Sequence, residues 1–201
     1  MVPNVVFDIG GVLADFRVME FLADKGFDGQ MSKRIVHAAV LSPAWERFER
    51  GEITEEEAID GFAETDPEIR EELFRAFSDC HGLLAARAFA IPLVRRLKEA
   101  GCGVYYLSNY SRKAFDDCTD TLAFLPYTDG GLLSFQMGMT KPDPGVFRLF
   151  LDTFGLEADT CVFVDDSETN VEAARDLGFR GIVYTSYDEL LIALAKEGVT
   201  L

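Results

Sequence analysis

Val5-Val6-Phe7-Asp8-Ile9-Gly10-Gly11-Val12-Leu13 sets a run of β-branched and aromatic residues directly before a carboxylate and two glycines. A continuous apolar run of this kind is expected of a strand covered on both faces, as in a parallel sheet. The pattern recurs. Val104-Tyr105-Tyr106-Leu107 follows Gly101 and Gly103, and Cys161-Val162-Phe163-Val164 and Ile182-Val183-Tyr184 come later. Amphipathic segments lie between these runs. Phe147, Phe150, Leu151 and Phe154 fall at i, i+3, i+4 and i+7, and Leu190, Leu191, Leu194 and Ala195 repeat that stripe. Strand, helix, strand, helix predicts right-handed crossovers and a parallel sheet in an α/β fold.

Residues 16–86 break the rhythm and contain no convincing strand. Thr54-Glu55-Glu56-Glu57 reads as a capping box opening a helix with Ala58, Ile59, Phe62 and Ala63 on one face. Pro67 suits the first turn of another helix, with Ile69, Leu73 and Phe77 at four-residue steps. The segment carries 8 Lys and Arg against 16 Asp and Glu, so half of the chain's net charge of −16 sits on solvated helix faces there. We read it as a helical insertion after the first strand.

At 201 residues the chain accommodates one domain with a modest insertion. A composition 48% hydrophobic and 27% charged excludes wholesale disorder. The negative charge argues against nucleic acid and anionic membranes as partners, and an anionic small molecule would need a local cation or a metal. No apolar run approaches the roughly 20 residues of a membrane span. The start, Met1-Val2-Pro3-Asn4, lacks signal-peptide features, so a cytoplasmic protein is expected. Cys80, Cys102, Cys118 and Cys161 show no Cys-x-x-Cys spacing and read as reduced, buried residues. His37 and His81 alone cannot form a multi-histidine metal site. Oligomeric state is not readable from the sequence.

Four short segments stand where an open parallel sheet binds ligands, at strand ends or just before a helix. Asp8, between an apolar run and two glycines, suits a nucleophile or metal ligand, or equally a capped turn. Ser108 and Asn109 close a strand and can hold an oxyanion, though both are ordinary strand terminators. Lys141, in Gly138-Met139-Thr140-Lys141-Pro142-Asp143-Pro144, is a fixed point charge suited to a phosphate or reacting carboxylate, or an incidental residue before a helix. Asp165 and Asp166 would repel each other unless a divalent cation such as Mg²⁺ lies near a third carboxylate; alternatively Asp166 or Ser167 is a helix N-cap.

Together the four segments resemble the haloacid dehalogenase superfamily of phosphohydrolases over nearly the whole chain. Phe7-Asp8-Ile9-Gly10-Gly11-Val12-Leu13 and Phe48-Glu49-Arg50-Gly51-Glu52-Ile53-Thr54 resemble its α-D-glucose-1-phosphate phosphatase branch. The resemblance implies a Rossmann-like catalytic core formed by 1–15 and 87–201, with helices on both faces of the sheet, and a small α-helical cap at 16–86. It implies a Mg²⁺-dependent phosphatase acting on small phosphorylated metabolites, such as sugar-1-phosphates. Asp8 would be the nucleophile that forms an aspartyl-phosphate, Ser108 would bind the phosphoryl group, and Asn109 would shape the same substrate-binding loop. Lys141 would screen charge between Asp8 and phosphate. Asp8, Asp165, Asp166 and the Gly10 carbonyl, which also borders the substrate, would hold Mg²⁺.

One departure matters. Most such phosphatases carry a second aspartate two residues after the nucleophile, which protonates the leaving oxygen; here the position is Gly10. Asp15 is one candidate to supply the proton, or else it caps a helix; a water or a residue of the inserted segment is equally open. Trp45, Arg47 and Arg50 could reach a sugar or a second phosphate, with packing an alternative for Trp45. Two other readings compete: a catalytically impaired protein that binds a phosphorylated ligand or partner, and a metal-independent haloacid dehalogenase, against which the retained Asp165-Asp166 pair argues.

Overall fold

The computed structural model describes residues 3–199 and 201. The chain opens with β1 (Asn4–Phe7) and β2 (Ala14–Phe16). Five helices follow: α1 (Val18–Asp24), α2 (Gly29–Ala38), α3 (Pro43–Glu49), α4 (Glu55–Thr65) and α5 (Arg70–Phe77). β3 (Leu84–Ala86) then pairs antiparallel with β2. The remainder is α6 (Ala90–Glu99), β4 (Gly103–Ser108), α7 (Arg112–Asp117), β5 (Gly130–Leu133), α8 (Ser134–Met137), α9 (Pro144–Phe154), β6 (Cys161–Asp165), α10 (Glu168–Asp176), β7 (Arg180–Val183) and α11 (Tyr187–Lys196).

The main sheet is parallel, in the order β5-β4-β1-β6-β7. Alternation along the strands feeds two apolar layers. Val5, Phe7, Val104, Val162 and Val164 share one core with Leu93, Leu97, Leu190 and Leu194, from α6 and α11. Val6, Leu107, Cys161 and Phe163 share another with Phe147 and Phe150 of α9 and Val171 and Ala174 of α10. Both faces are covered, which is why these strands read as unbroken apolar runs. From β1 the connections run first toward β5 and then toward β7, so the chain switches direction at the C-terminal ends of β4, β1 and β6.

The helical stripes behave as read. Thr54 and Glu57 close a reciprocal capping box on α4, which buries Ala58, Ile59, Phe62 and Ala63. Pro67 opens a short 3₁₀ turn rather than the helix itself, and α5 continues from it with Leu73 and Phe77 buried. All four cysteines are buried and unbridged.

Three expectations are corrected. Residues 16–86 do contain strand: β3 and the end of β2 form a two-stranded ribbon at the base of the five helices. Three residues are too few to show a period of two, and Leu84-Ala85-Ala86 has no β-branched residue. The β5 strand escapes the apolar-run pattern because it begins Gly130-Gly131. A Cβ at Gly131 would lie 2.3 Å from the Tyr106 ring and carbonyl, so close strand packing excludes a side chain there. The last run is shifted: β7 ends at Val183, and Tyr184 lies just beyond, its N–H donating to the Asp165 carbonyl at 2.9 Å.

Candidate active site

Three adjacent strands deliver the acidic and hydroxyl groups to one edge. Asp8 follows β1, its own N–H donating to the Val164 carbonyl at 2.8 Å. Ser108 ends β4 and Asp165 ends β6. Lys141 enters from the loop before α9, and its ammonium lies 3.0 Å from Asp8 Oδ1 and 2.5 Å from Asp165 Oδ2. Lys141 is 4% exposed and Asp165 is fully buried, so this is a largely buried carboxylate–ammonium–carboxylate array. Burial opposes the Lys141 charge, but Asp8 and Asp165 outweigh it and hold its pKa above the usual lysine value. Burial pushes Asp8 up to about 6; Lys141 pulls against that, Asp165 adds to it, and a Ser108 hydrogen bond lowers it.

Asn109 does not face the ligand with a free amide. Its Nδ2 donates to the Lys141 carbonyl at 3.0 Å and its Oδ1 accepts from the Lys141 N–H at 2.8 Å. The side chain thereby fastens the lysine loop to the end of β4, while Asn109 also lines the cavity described below. Asp165 is similarly committed. Besides Lys141 it accepts from the Ser167 N–H at 2.8 Å and from Asn170 Nδ2 at 3.1 Å to each oxygen. Ser167, not Asp166, is the N-cap of α10.

Asp166 stands apart, exposed and lying against Gly11: a Cβ built on Gly11 would be 2.2 Å from Asp166 Oδ2. Carboxylate oxygens of Asp8, Asp165 and Asp166 come within 4.8 Å of one another. An all-oxygen set of this density, beside a glycine that leaves room for it, fits a hard divalent cation such as Mg²⁺. Burial first, and then Asp165, raises the Asp166 pKa, the repulsion that a cation would relieve. Gly10 itself is unforced: its φ is not in the left-handed region and its Cβ would meet no atom within 4 Å.

Beside this edge opens a cavity of about 500 Å³, reaching from Gly10, Gly11 and Asp166 to Trp45, Phe62 and Phe77 of the inserted helices. Glu49 lines it, a residue whose role sequence reasoning missed. The end of α3 is pinned to the sheet: Ser134 Oγ donates to the Glu49 carbonyl at 2.6 Å, and Thr140 Oγ1 to Glu46 at 2.9 Å. Burial pushes the Glu49 carboxyl up to about 7; the nearby Trp45 side chain lowers it, and Asp8 raises it further. The one available signal was its place in Phe48-Glu49-Arg50-Gly51, where it reads as another acid in an acidic helix.

Asp15 also lines the cavity, but in β2 and not as a helix cap, and Arg87 holds it at 2.7 Å. Arg47 lies 3.6 Å from Glu52, and Arg50 is 2.7 Å from both Glu46 and Glu52. Neither arginine is among the residues lining this cavity. Trp45 does line it, packed at 5.9 Å from Phe62 and 5.8 Å from Phe77.

Residues 2–178 match the family described as haloacid dehalogenase-like hydrolase. A sesquiterpene phosphatase of Aspergillus oryzae is 29% identical over 180 residues, covering 90% of this chain and 88% of that protein. A drimenol cyclase of Aspergillus calidoustus is 28% identical over 94% of this chain, which spans only 35% of that longer protein. Among solved structures, an aspartate-to-alanine variant of a family enzyme from Bacteroides thetaiotaomicron, in complex with magnesium and inorganic phosphate, superposes with a TM-score of 0.72. It is 25% identical and the match covers 94% of this chain and 98% of that one.

Proposed function

Because this chain belongs to the haloacid dehalogenase-like hydrolases, we propose that it is a Mg²⁺-dependent phosphatase that cleaves small phosphate monoesters through a phosphorylated Asp8. The observation that carries the reading is the Asp8–Lys141–Asp165 array with Asp166 beside it at the mouth of a cavity. A phosphatase among the relatives, and magnesium with phosphate in a similar structure, support it.

Asp8 Oδ1 accepts from the Ile9 N–H at 2.7 Å and faces Lys141, which leaves the other oxygen for attack. That oxygen bonds to phosphorus as the ester oxygen leaves. Lys141 offsets charge between carboxylate and phosphoryl group, and Ser108 hydrogen-bonds the phosphoryl oxygens. Asp165, fully buried and accepting from three residues, holds Lys141 in place. Asp8, Asp166 and the Gly10 carbonyl, backed by Asp165, would hold Mg²⁺, which when bound supplies positive charge to the attacking and transferring groups.

Glu49 takes the role that Gly10 leaves open. Protonated near neutrality, it gives its proton to the departing alkoxide; ionised after that step, it takes a proton from the water that attacks the phosphorylated Asp8 and releases phosphate. A sugar-1-phosphate would suit this chemistry through its acidic leaving hydroxyl, but the paired arginines offer it no hand-hold.

The test is phosphate release from p-nitrophenyl phosphate with and without Mg²⁺, beside halide release from a 2-haloacid. Mg²⁺-dependent phosphate release is expected. Halide release without metal, or no release of either, overturns the proposal.

A further inference from the structure

We propose that the natural substrate is the phosphate ester of a long aliphatic alcohol, its chain lying in the aromatic cavity beside Asp8. The proposal takes from the phosphatase reading only what Asp8 does; the chemistry of the ligand comes from the wall of the cavity.

That wall is made by Trp45, Phe62, Phe77, Leu83, Leu84 and Ala114, from α3, α4, α5, the β3 ribbon and α7. The aromatic rings form a continuous knot: Trp45 touches Phe62 at 5.9 Å and Phe77 at 5.8 Å, and Phe62 touches Phe77 at 5.7 Å. At the rim Phe16 meets Trp45 edge-on at 6.3 Å and is itself 42% exposed, so the apolar surface runs out to solvent. A space of about 500 Å³ is the size of a ligand site, and Gly10, Gly11 and Asp166 line it on the side of Asp8.

Several of the polar groups along it are already engaged. Asp15 is paired with Arg87, Asn109 with the Lys141 backbone, and Ser111 caps α7. Tyr110 is an exception: it also lines the cavity, and its buried hydroxyl has no hydrogen-bond partner among the described residues. A sugar brought here would lose water from several hydroxyls and gain few bonds in return. Each unpaired hydroxyl lowers affinity by roughly five- to a hundredfold. A methylene chain meets no such penalty and gains about fourfold in affinity per buried CH₂.

The experiment uses the full chain in two arms. In the first, kcat/KM is measured with Mg²⁺ for n-alkyl phosphates from ethyl to dodecyl, kept below their micellar concentrations, against glucose-1-phosphate and glucose-6-phosphate. In the second, binding of the same esters to Asp8→Asn protein is measured by calorimetry, with wild type in EDTA as a parallel sample. Both quantities are expected to rise about fourfold per methylene and to level off when the cavity is full. Val40→Phe and Ala114→Leu, which narrow it, should each bring the plateau to a shorter chain. Affinity independent of chain length, or sugar phosphates preferred over the longer alkyl esters, overturns the proposal. Length-dependent binding with no phosphate release upholds the aliphatic ligand and instead removes the phosphatase reading.

Discussion

Replacing Glu49 by glutamine tests the proton carrier and the electrostatics that set it. Gln keeps the same volume, but it neither donates an acidic proton nor ionises. General acid catalysis contributes about 10²–10⁴-fold, and most where the leaving alkoxide is a strong base. Alkyl phosphates should therefore slow by about 10²-fold or more, whereas p-nitrophenyl phosphate should slow by less than about tenfold. In the wild type, alkyl ester turnover should fall as pH rises above about 7, since that is where Glu49 loses its proton. Asp8, Lys141 and Glu46 act on this carboxyl, and Asp15, Arg87 and Asp166 share its cavity. Stability moves the opposite way. A carboxyl raised from 4.5 to about 7 favours the fold below pH 4.5, and this contribution is lost as pH rises to 7, by at most about 3 kcal/mol. Glu49→Gln should thus match the wild type in urea unfolding at pH 4 and exceed it at pH 8. Gly10→Asp in the Glu49→Gln background adds a carboxyl two residues after the nucleophile. With no atom within 4 Å of its Cβ the loop accommodates it, and alkyl turnover should partly recover. Unchanged alkyl turnover and an unchanged pH profile in Glu49→Gln would refute the reasoning.

Asp8→Asn should abolish phosphate release while its far-UV circular dichroism stays that of the wild type, because the amide fills the same space and cannot attack phosphorus; retained turnover removes Asp8 as nucleophile. EDTA should stop turnover and added Mg²⁺ restore it; activity that persists in EDTA denies Asp166 a metal role. Lys141→Met leaves two buried carboxylates without their shared cation and should cost about 3–5 kcal/mol at pH 7 by urea titration. Part of that loss should return on acidification, as the unpaired carboxylates take up protons; a variant as stable as wild type at pH 7 would show the array to be hydrated.

Much of this protein was legible in one dimension. β1, β4 and β6 announce themselves because a strand buried on both faces must be apolar at every position. Asp8, Ser108, Lys141, Asp165 and Asp166 were legible too, since each follows directly on such a strand or sits between glycine and prolines before a helix. The division of labour among them was not. Asp165 and Asp166 are equivalent on paper; only the position of Lys141, Ser167 and Asn170 commits one carboxylate and leaves the other free. Asn109 could as well have met a ligand until its amide was seen locked on the Lys141 backbone.

The cavity and the proton carrier proposed for it belong wholly to the tertiary structure. Glu46, Glu49 and Glu52 are three acids in one charged stretch, and local pattern assigns all of them to solvent. With the end of α3 docked on Ser134 and Thr140, Glu49 is half-buried while Glu46 and Glu52 stay exposed, and desolvation moves the Glu49 pKa up to about 7. Phe16, Trp45, Phe62, Phe77, Leu83 and Leu84 are separated by tens of residues, and each obeys a local rule as core or ribbon. That they enclose a space and not a filled core follows from how five helices and a short ribbon close over the sheet edge, a packing outcome that no periodicity along the chain encodes. The sequence alone determined the sheet and the charges at its edge, because those depend on neighbours in the chain. Which molecule they act on was decided by contacts between elements distant in it.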